Sequence, residues 1–404
     1  MSSRNIYLYY ETVPGVKLLE NERRNYNIEL NDWAEPNAAF GKPVFNFGHI
    51  LNGLGFNVLW TKDPEQGVVF VDVDSSSIHV MDQIADIASK KFKKFILSSL
   101  TEPRIVQLTE SKLLDKYPNM LYLDICYPIS EASIATRHPR HCGFPVFIPR
   151  VLSMACNYVK MHPAVNLREP LKGNMFNHLS FNWRKEKFVL HYFLMKNGIE
   201  DIVFSFKHLS KDRYPVERDG ILNHLARSEL LTVEEKQDIL KEINPATSMF
   251  SDISLNNDTP FSVHLRQHPR WLYDESYVSL IAESNHDDES GFITEKILQP
   301  MLNQHPVIIL GSCGNFNSAL QRLGFAIHDE LIDFSFDQHR SLMDRGKVLV
   351  NQIKDLNKEK YFENINTVTE KVHHNFNLLM NKRSVLYDIL YDRMDEIINR
   401  YYEL

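Results

Sequence analysis

Short apolar runs alternate with amphipathic stretches along most of this chain, and the alternation predicts an α/β protein. Strand-like runs stand at Phe56–Trp60, Val68–Val73, Phe95–Leu100, Met120–Ile125, Ile202–Phe206, Tyr277–Ala282 and Val307–Leu310. Asn5–Tyr10 is a first strand, with Ile6, Leu8 and Tyr10 on one face and Tyr7 and Tyr9 on the other. Helical patterns cover Phe45–Leu54, Ile84–Lys91, Pro149–Val159, Phe188–Lys196 and Thr232–Ile243. In the last of these Thr232 is the expected N-cap and Glu235 completes a capping box. Pro128–Pro149, Lys207–Asp219 and Asp252–His264 read as loops, and Asn166–Asn174 as a polar linker. Leu320–His328 reads as a helix and a strand, and Asp329–Asp337 as an acidic loop. From Gln338 to Leu404 the pattern is nearly all helical.

Ser279–Leu310 concentrates the chemistry. A strand ends in the polar cluster Glu283-Ser284-Asn285. An acidic loop, His286–Gly291, follows. Thr294-Glu295-Lys296 then opens a helix whose Ile297, Met301 and Leu302 share one face, and His305-Pro306 breaks it before the strand Val307–Leu310. In a β-loop-α-β unit, ligands bind where strands end and helices begin. Free backbone N–H groups and the positive end of the helix dipole suit a phosphate there. Lys296 adds a positive charge, and Glu295 can accept hydrogen bonds from the two hydroxyls of a ribose.

The sequence Phe292-Ile293-Thr294-Glu295-Lys296-Ile297, followed by an apolar run and Pro306-Val307-Ile308-Ile309-Leu310-Gly311, resembles the donor-binding motif of the α1,3-fucosyltransferase family. It is still more similar to the related glycosyltransferases of large DNA viruses and T4-like phages. The resemblance covers about fifty residues, Tyr273–Phe325. It implies a nucleotide-sugar donor whose ribose is held by Glu295 and whose diphosphate is held by Lys296. Arg184, in the Asn182-Trp183-Arg184 segment before the helix, matches a second phosphate clamp, with Lys187 as helper; a guanidinium binds a diphosphate through paired hydrogen bonds. Thr294, Phe292 and Asn285 complete the expected donor set. Phe292 stands where the fucosyltransferases carry Tyr, and Glu283-Ser284-Asn285 departs from their Glu-Asn-Ser order. The stretch Gly48–Trp60 is similar to the first Rossmann half of a sugar transferase.

The implied fold is GT-B: two Rossmann-like domains, 1–165 for acceptor and base and 170–337 for donor, facing a cleft. A helical tail, 338–404, would pack back on the first domain. An inverting sugar transfer needs a base to take the acceptor hydroxyl's proton. Glu102, in Thr101-Glu102-Pro103-Arg104 beyond a strand, resembles the family's base position, and Glu11, beyond the first strand, is the second candidate. No metal is expected. Asp72-Val73-Asp74 only has the spelling of a metal-binding DxD, and His138, His141 and Cys142 lack a second ligand pair at zinc spacing. Arg137, His138, Arg140 and His141 are the expected contacts to an anionic acceptor.

Composition narrows the partners. The chain has 404 residues, enough for two domains, with 43% hydrophobic and 24% charged residues, the balance of a globular protein. A net charge of −7 argues against a protein coated for nucleic acid but leaves room for a local basic patch. With no apolar run of about eighteen residues, no membrane partner is expected. Without a signal-peptide pattern, and with Cys126, Cys142, Cys156 and Cys313 read as reduced thiols, a cytoplasmic setting is expected, that of the host if the chain comes from a phage. The expected donor is a UDP-sugar, with a GDP-sugar as the other choice. The expected acceptor is 5-hydroxymethylcytosine in phage DNA, its base flipped into the cleft. The alternatives are a glycan or protein hydroxyl, an epimerase or hydrolase of nucleotide sugars, and a non-enzymatic nucleotide-sugar-binding protein.

Overall fold

The computed structural model describes residues 4–9, 11–12, 29–30, 47–73, 78–99, 112–124, 127–128, 138–145, 148–149, 167–168, 173–180, 184–206, 214–243, 273–283, 290–311 and 313–404. They form a mixed α/β protein with parallel sheets and divide into two compact units, one of Met1–Met154 with Lys382–Leu404, the other of Ala155–Asn381.

In the first unit β1 (Asn5–Tyr9) precedes α1 (Phe47–Leu54) in the chain, and β2 (Asn57–Thr61) returns parallel to β1 with Ile6 opposite Val58. Gly55 makes the turn between helix and strand. Its φ of 99° is open to glycine, and Phe56 N closes on Leu51 O at 3.0 Å. Next come β3 (Phe70–Val73), α2 (Ile78–Lys91), β4 (Phe95–Ser99), β5 (Met120–Asp124) and β6 (His141–Gly143). These four strands form one parallel sheet in chain order. A parallel bridge between Leu8 and Val68 ties β1 to the approach of β3. The sheet is covered by a core of Val69, Val71, Met81, Ile84, Phe92, Phe95, Leu97 and Tyr122.

The C-terminal helix, Val385–Glu403, belongs to this unit. Tyr391 stacks on Phe56 with centroids 4.3 Å apart. Tyr401 donates its hydroxyl to Gly67 O and accepts from Val69 N. Arg393 Nε donates to Gly143 O at 3.1 Å and so covers the edge strand β6.

The second unit holds β7 (Asn174–Ser180), α3 (Lys185–Lys196), β8 (Ile202–Phe206), α4 (Tyr214–Arg227), α5 (Val233–Glu242), β9 (Ser276–Ala282), α6 (Glu295–Leu302), β10 (Val307–Leu310) and α7 (Phe316–Arg322). The strands lie in the order β8-β7-β9-β10, all parallel. Every residue of β9 and β10 is buried, as expected for strands covered on both faces. Three tail helices, α8 (Leu342–Lys354), α9 (Lys358–Glu363) and α10 (Ile365–Met380), close the unit. Helices α8 and α3 touch through Gly346: a Cβ there would lie 2.4 Å from Val189 Cγ1, so only glycine permits the approach.

Several expectations change. The tail is divided: 338–381 groups with the second unit, and Lys382–Leu404 with the first. Pro128–Pro149 is not wholly irregular, because β6 lies within it, held by Tyr122 N on Arg140 O at 2.9 Å and Phe144 N on Asp124 O at 2.8 Å. Lys207–Asp219 gives way to helix from Tyr214, with Pro215 in the first turn, where its missing N–H costs nothing. The strand expected in Leu320–His328 does not form. Asn375 occupies both backbone groups of Ala326: Ala326 N donates to Asn375 Oδ1 at 2.8 Å, and Asn375 Nδ2 donates to Ala326 O at 2.9 Å. The acidic loop Asp329–Asp337 runs into a 3-10 turn at Phe334–Gln338. The helices expected at Phe188 and Ile84 begin earlier, at Lys185 and Ile78. The expected helix Pro149–Val159 lies almost wholly outside the described residues.

Candidate functional site

In the second unit the chain starts at β7, steps to β8 on one side, then crosses to β9 and β10 on the other. The strand order therefore reverses between β7 and β9. Such a switch point opens a crevice at the carboxyl ends of the two strands, where doubly wound sheets bind ligands. The segments leaving β7 and β9 carry Arg184 and Glu283, and the start of α6 brings Thr294 and Lys296 to Glu283.

Glu283 is fully buried just past β9. Its Oε2 accepts from the Thr294 hydroxyl at 2.7 Å and from Thr294 N at 3.1 Å. Its Oε1 lies 3.4 Å from the Lys296 ammonium. Thr294 caps α6, its hydroxyl oxygen accepting from Lys296 N at 3.3 Å and from Lys296 Nζ at 3.2 Å. The carboxylate thus fixes the helix start and the direction of the Lys296 side chain, which stays 23% exposed. Phe292 is buried just ahead of this cap.

The start of α3 adds further charge. Arg184 is its N-cap residue, in extended conformation, and Lys185, Glu186 and Lys187 form its first turn; all four are buried. Lys185 Nζ stands 3.8 Å from Glu186 Oε1. Lys187 is 3% exposed and, among the described residues, makes no hydrogen bond or ion pair. Burial pushes its pKa down to about 7; the neighbouring Lys296 and Arg184 cations push the same way, and Glu283 and Glu186 oppose them. Arg184, Lys187 and Lys296 thus gather with Glu283 and Glu186, and Lys187, the more deeply buried of the two ammonium groups, makes no ion pair among the described residues. A buried cation is costly unless paired. The arrangement is suited to an anion with several oxygens that enters from the exposed side of Lys296.

The sequence-derived donor residues Arg184, Lys187, Thr294 and Lys296 come together here, with Phe292 beside them. Glu295 is the first residue of α6, and its side chain lies outside what the structure describes, as does Asn285 altogether. Glu283, read from sequence only as part of a polar cluster, is the residue that organises the site. Its partners sit eleven and thirteen positions later, across a loop, a relation that no local pattern carries.

The other candidates belong to the first unit. Glu11 begins a short strand, Glu11–Thr12, antiparallel to Glu29–Leu30 and two residues past β1; its side chain is outside the described part. Glu102 and Arg137 lie outside the described residues. Arg140 is tied to its own unit, its guanidinium donating to the carbonyls of Leu114, Tyr117 and Met120. His141 is buried with Nε2 3.3 Å from Asp124 Oδ2, and His138 Nε2 is 3.5 Å from Asp115 Oδ1. These three side chains brace the β5–β6 edge.

Among the described residues no group of three or more His, Cys, Asp or Glu side chains is placed to hold a metal ion, and no helix is long and apolar enough to cross a membrane. Cys142 and Cys313 are buried thiols. Compared with protein-family models and with curated proteins, the chain matches none.

Proposed function

We propose that the protein is a glycosyltransferase that moves a sugar from a nucleotide-sugar donor, a UDP-sugar ahead of a GDP-sugar, to an acceptor hydroxyl with inversion. The observation that carries this reading is the cation cluster of Arg184, Lys187 and Lys296 at the switch point of the second unit, built around Glu283. A departing nucleoside diphosphate develops negative charge in the transition state, and fixed cations with a helix N-terminus stabilise it there. In this reading Lys296 and Arg184 take the diphosphate, Glu295 the ribose, and Thr294, Phe292 and Asn285 line the donor. The second unit is then the donor half of a GT-B pair, and the first supplies the base, Glu102 ahead of Glu11. The acceptor follows from the resemblance to viral and phage enzymes: 5-hydroxymethylcytosine in DNA, modified in the cytoplasm.

The test offers a panel of UDP-, GDP- and CMP-sugars to DNA containing 5-hydroxymethylcytosine, with plain DNA as control, and reads mass. A gain on the modified DNA alone establishes the DNA acceptor and names the donor. Donor hydrolysis without transfer to DNA moves the acceptor to a glycan or protein hydroxyl. A rearranged nucleotide sugar with no acceptor present marks an epimerase. No turnover of any donor overturns the enzyme reading.

A further inference from the structure

The proposed donor site already contains an anion of its own. Glu283 is fully buried, its two oxygens are engaged with Thr294 and Lys296, and it stands where the charge of Lys296 is needed by an incoming diphosphate. Lys187 stands in the same field, nine-tenths buried and without a hydrogen bond among the described residues. The charged and titratable groups that face it are Arg184 and Glu186 from its own helix start, Glu283 from the end of β9, Lys296 from α6 and His178 from β7. His178 is itself held neutral: burial pushes its pKa down to about 4, and its Nδ1 is 2.8 Å from Leu280 O, as a donor.

Resting on the reading of this crevice as a diphosphate site, we propose that Glu283 is a positioning residue, the resident counter-ion that a diphosphate displaces from Lys296, and that capture of the diphosphate draws one proton from solvent onto Lys187. In the empty site burial and the field of two neighbouring cations oppose a third charge, and Glu283 and Glu186 counter it. An arriving diphosphate brings two negative charges to the same place, so the ammonium form of Lys187 becomes the favoured one. Binding and protonation are then linked, and each strengthens the other. Without the Glu283 charge the same proton is harder to place, so the linkage moves to lower pH. The burial of Lys187, which holds its pKa near 7 in the empty site, puts this exchange in the physiological range.

Isothermal titration calorimetry of the full chain with UDP-glucose and with GDP-mannose tests this. Both probes have doubly esterified diphosphates whose charge stays constant from about pH 6 to about pH 8.5, so any proton taken up belongs to the protein. The expected result is affinity that falls about tenfold per pH unit above about pH 7, with close to one proton taken up per ligand at about pH 8, seen as a dependence of the heat on buffer ionisation. Glu283→Gln keeps the shape but not the charge, and is expected to move the midpoint down by about one pH unit. Glu283→Asp, which restores the charge, is expected to return it toward the wild-type value. Lys187→Met keeps the chain folded without the titrating group, and is expected to bind weakly with no pH dependence, so the proposal stays testable if the Glu283 variants fail to fold. Binding of either probe with flat affinity and no proton uptake overturns the proposal and leaves the donor-site reading standing. Failure of both probes to bind at any pH overturns the donor-site reading, and the proposal with it.

Discussion

Arg140 in the first unit and Lys187 in the second are both cations drawn away from water, and their surroundings are opposite. Arg140 spends its guanidinium on three backbone carbonyls, those of Leu114, Tyr117 and Met120, which close the turn before β5. Lys187 is more deeply buried and, among the described residues, spends its ammonium on nothing. The first arrangement is complete as it stands: charge meets carbonyl dipoles whose geometry the fold itself supplies. The second is incomplete, with two further cations beside it and its counter-charge shared with Lys296. A buried charge that satisfies the fold serves stability. One that the fold leaves unsatisfied is a cost that a ligand can repay.

Substitutions that remove each charge while keeping apolar volume separate the two roles. Lys187→Met is expected to weaken donor binding by about a hundredfold or more, the loss of a charge-assisted contact in a water-poor site. Its thermal midpoint stays at or above that of the wild type, because an unpaired buried charge disappears with it. Titration calorimetry and differential scanning calorimetry on the same preparation read both. A large fall in thermal midpoint with little change in affinity would reverse the assignment. Arg140→Met is expected to do the converse. Three carbonyls lose a charged donor, and the half-buried position discounts the loss to about 2–3 kcal/mol, visible as a lower urea midpoint. A stability change under about 0.5 kcal/mol would remove Arg140 from the structural class and return it to the acceptor contacts expected from sequence. Asn375→Ala, which strips both hydrogen bonds from the backbone of Ala326, ranks below these at about 1–2 kcal/mol.

The same contrast explains what could be read from the chain. Parallel strands buried on both faces are nearly continuous apolar runs, so Phe95–Ser99, Ile202–Phe206 and Val307–Leu310 fall within a residue of their expected bounds. The capping box at Thr232 and Glu235 is local and is found as expected, with Glu235 N on the Thr232 hydroxyl at 3.2 Å. What escaped was non-local. The segment through Ala326 has a strand's pattern, but an asparagine from α10 takes the place of a strand partner. The helix that Lys185, Glu186 and Lys187 open is buried from Lys185 to Leu194, charged first turn included, and α8 lies against it through Gly346, a contact far along the chain. At the site, Lys296 and Arg184 were legible through their motif, whereas Glu283 acquires its role only when the loop folds α6 back onto the end of β9.

The last effect concerns stability against pH, and it follows from the sign of the Lys187 shift. In the unfolded chain this lysine titrates at 10.5; in the folded protein it titrates at about 7. Below about pH 7 it is charged in both states, and the folded state bears the full cost of holding that charge. Between about 7 and 10.5 the unfolded chain binds a proton that the folded protein does not, so stability rises with pH. The slope from this one group is bounded by about 1.4 kcal/mol per pH unit, and relaxation of the buried site brings it nearer to 1. Urea unfolding at a series of pH values from about 7 to about 9 reads it as the difference between the wild type and Lys187→Met, which cancels every other titrating group. The wild type is expected to gain on the variant by about 1–2 kcal/mol across that range. A constant difference would mean that Lys187 keeps its charge in the empty site, and that the fold already pairs it as well as it pairs Arg140. With saturating UDP-glucose the gain is expected to vanish, because a diphosphate holds Lys187 protonated, and stability then ceases to depend on where the free lysine titrates.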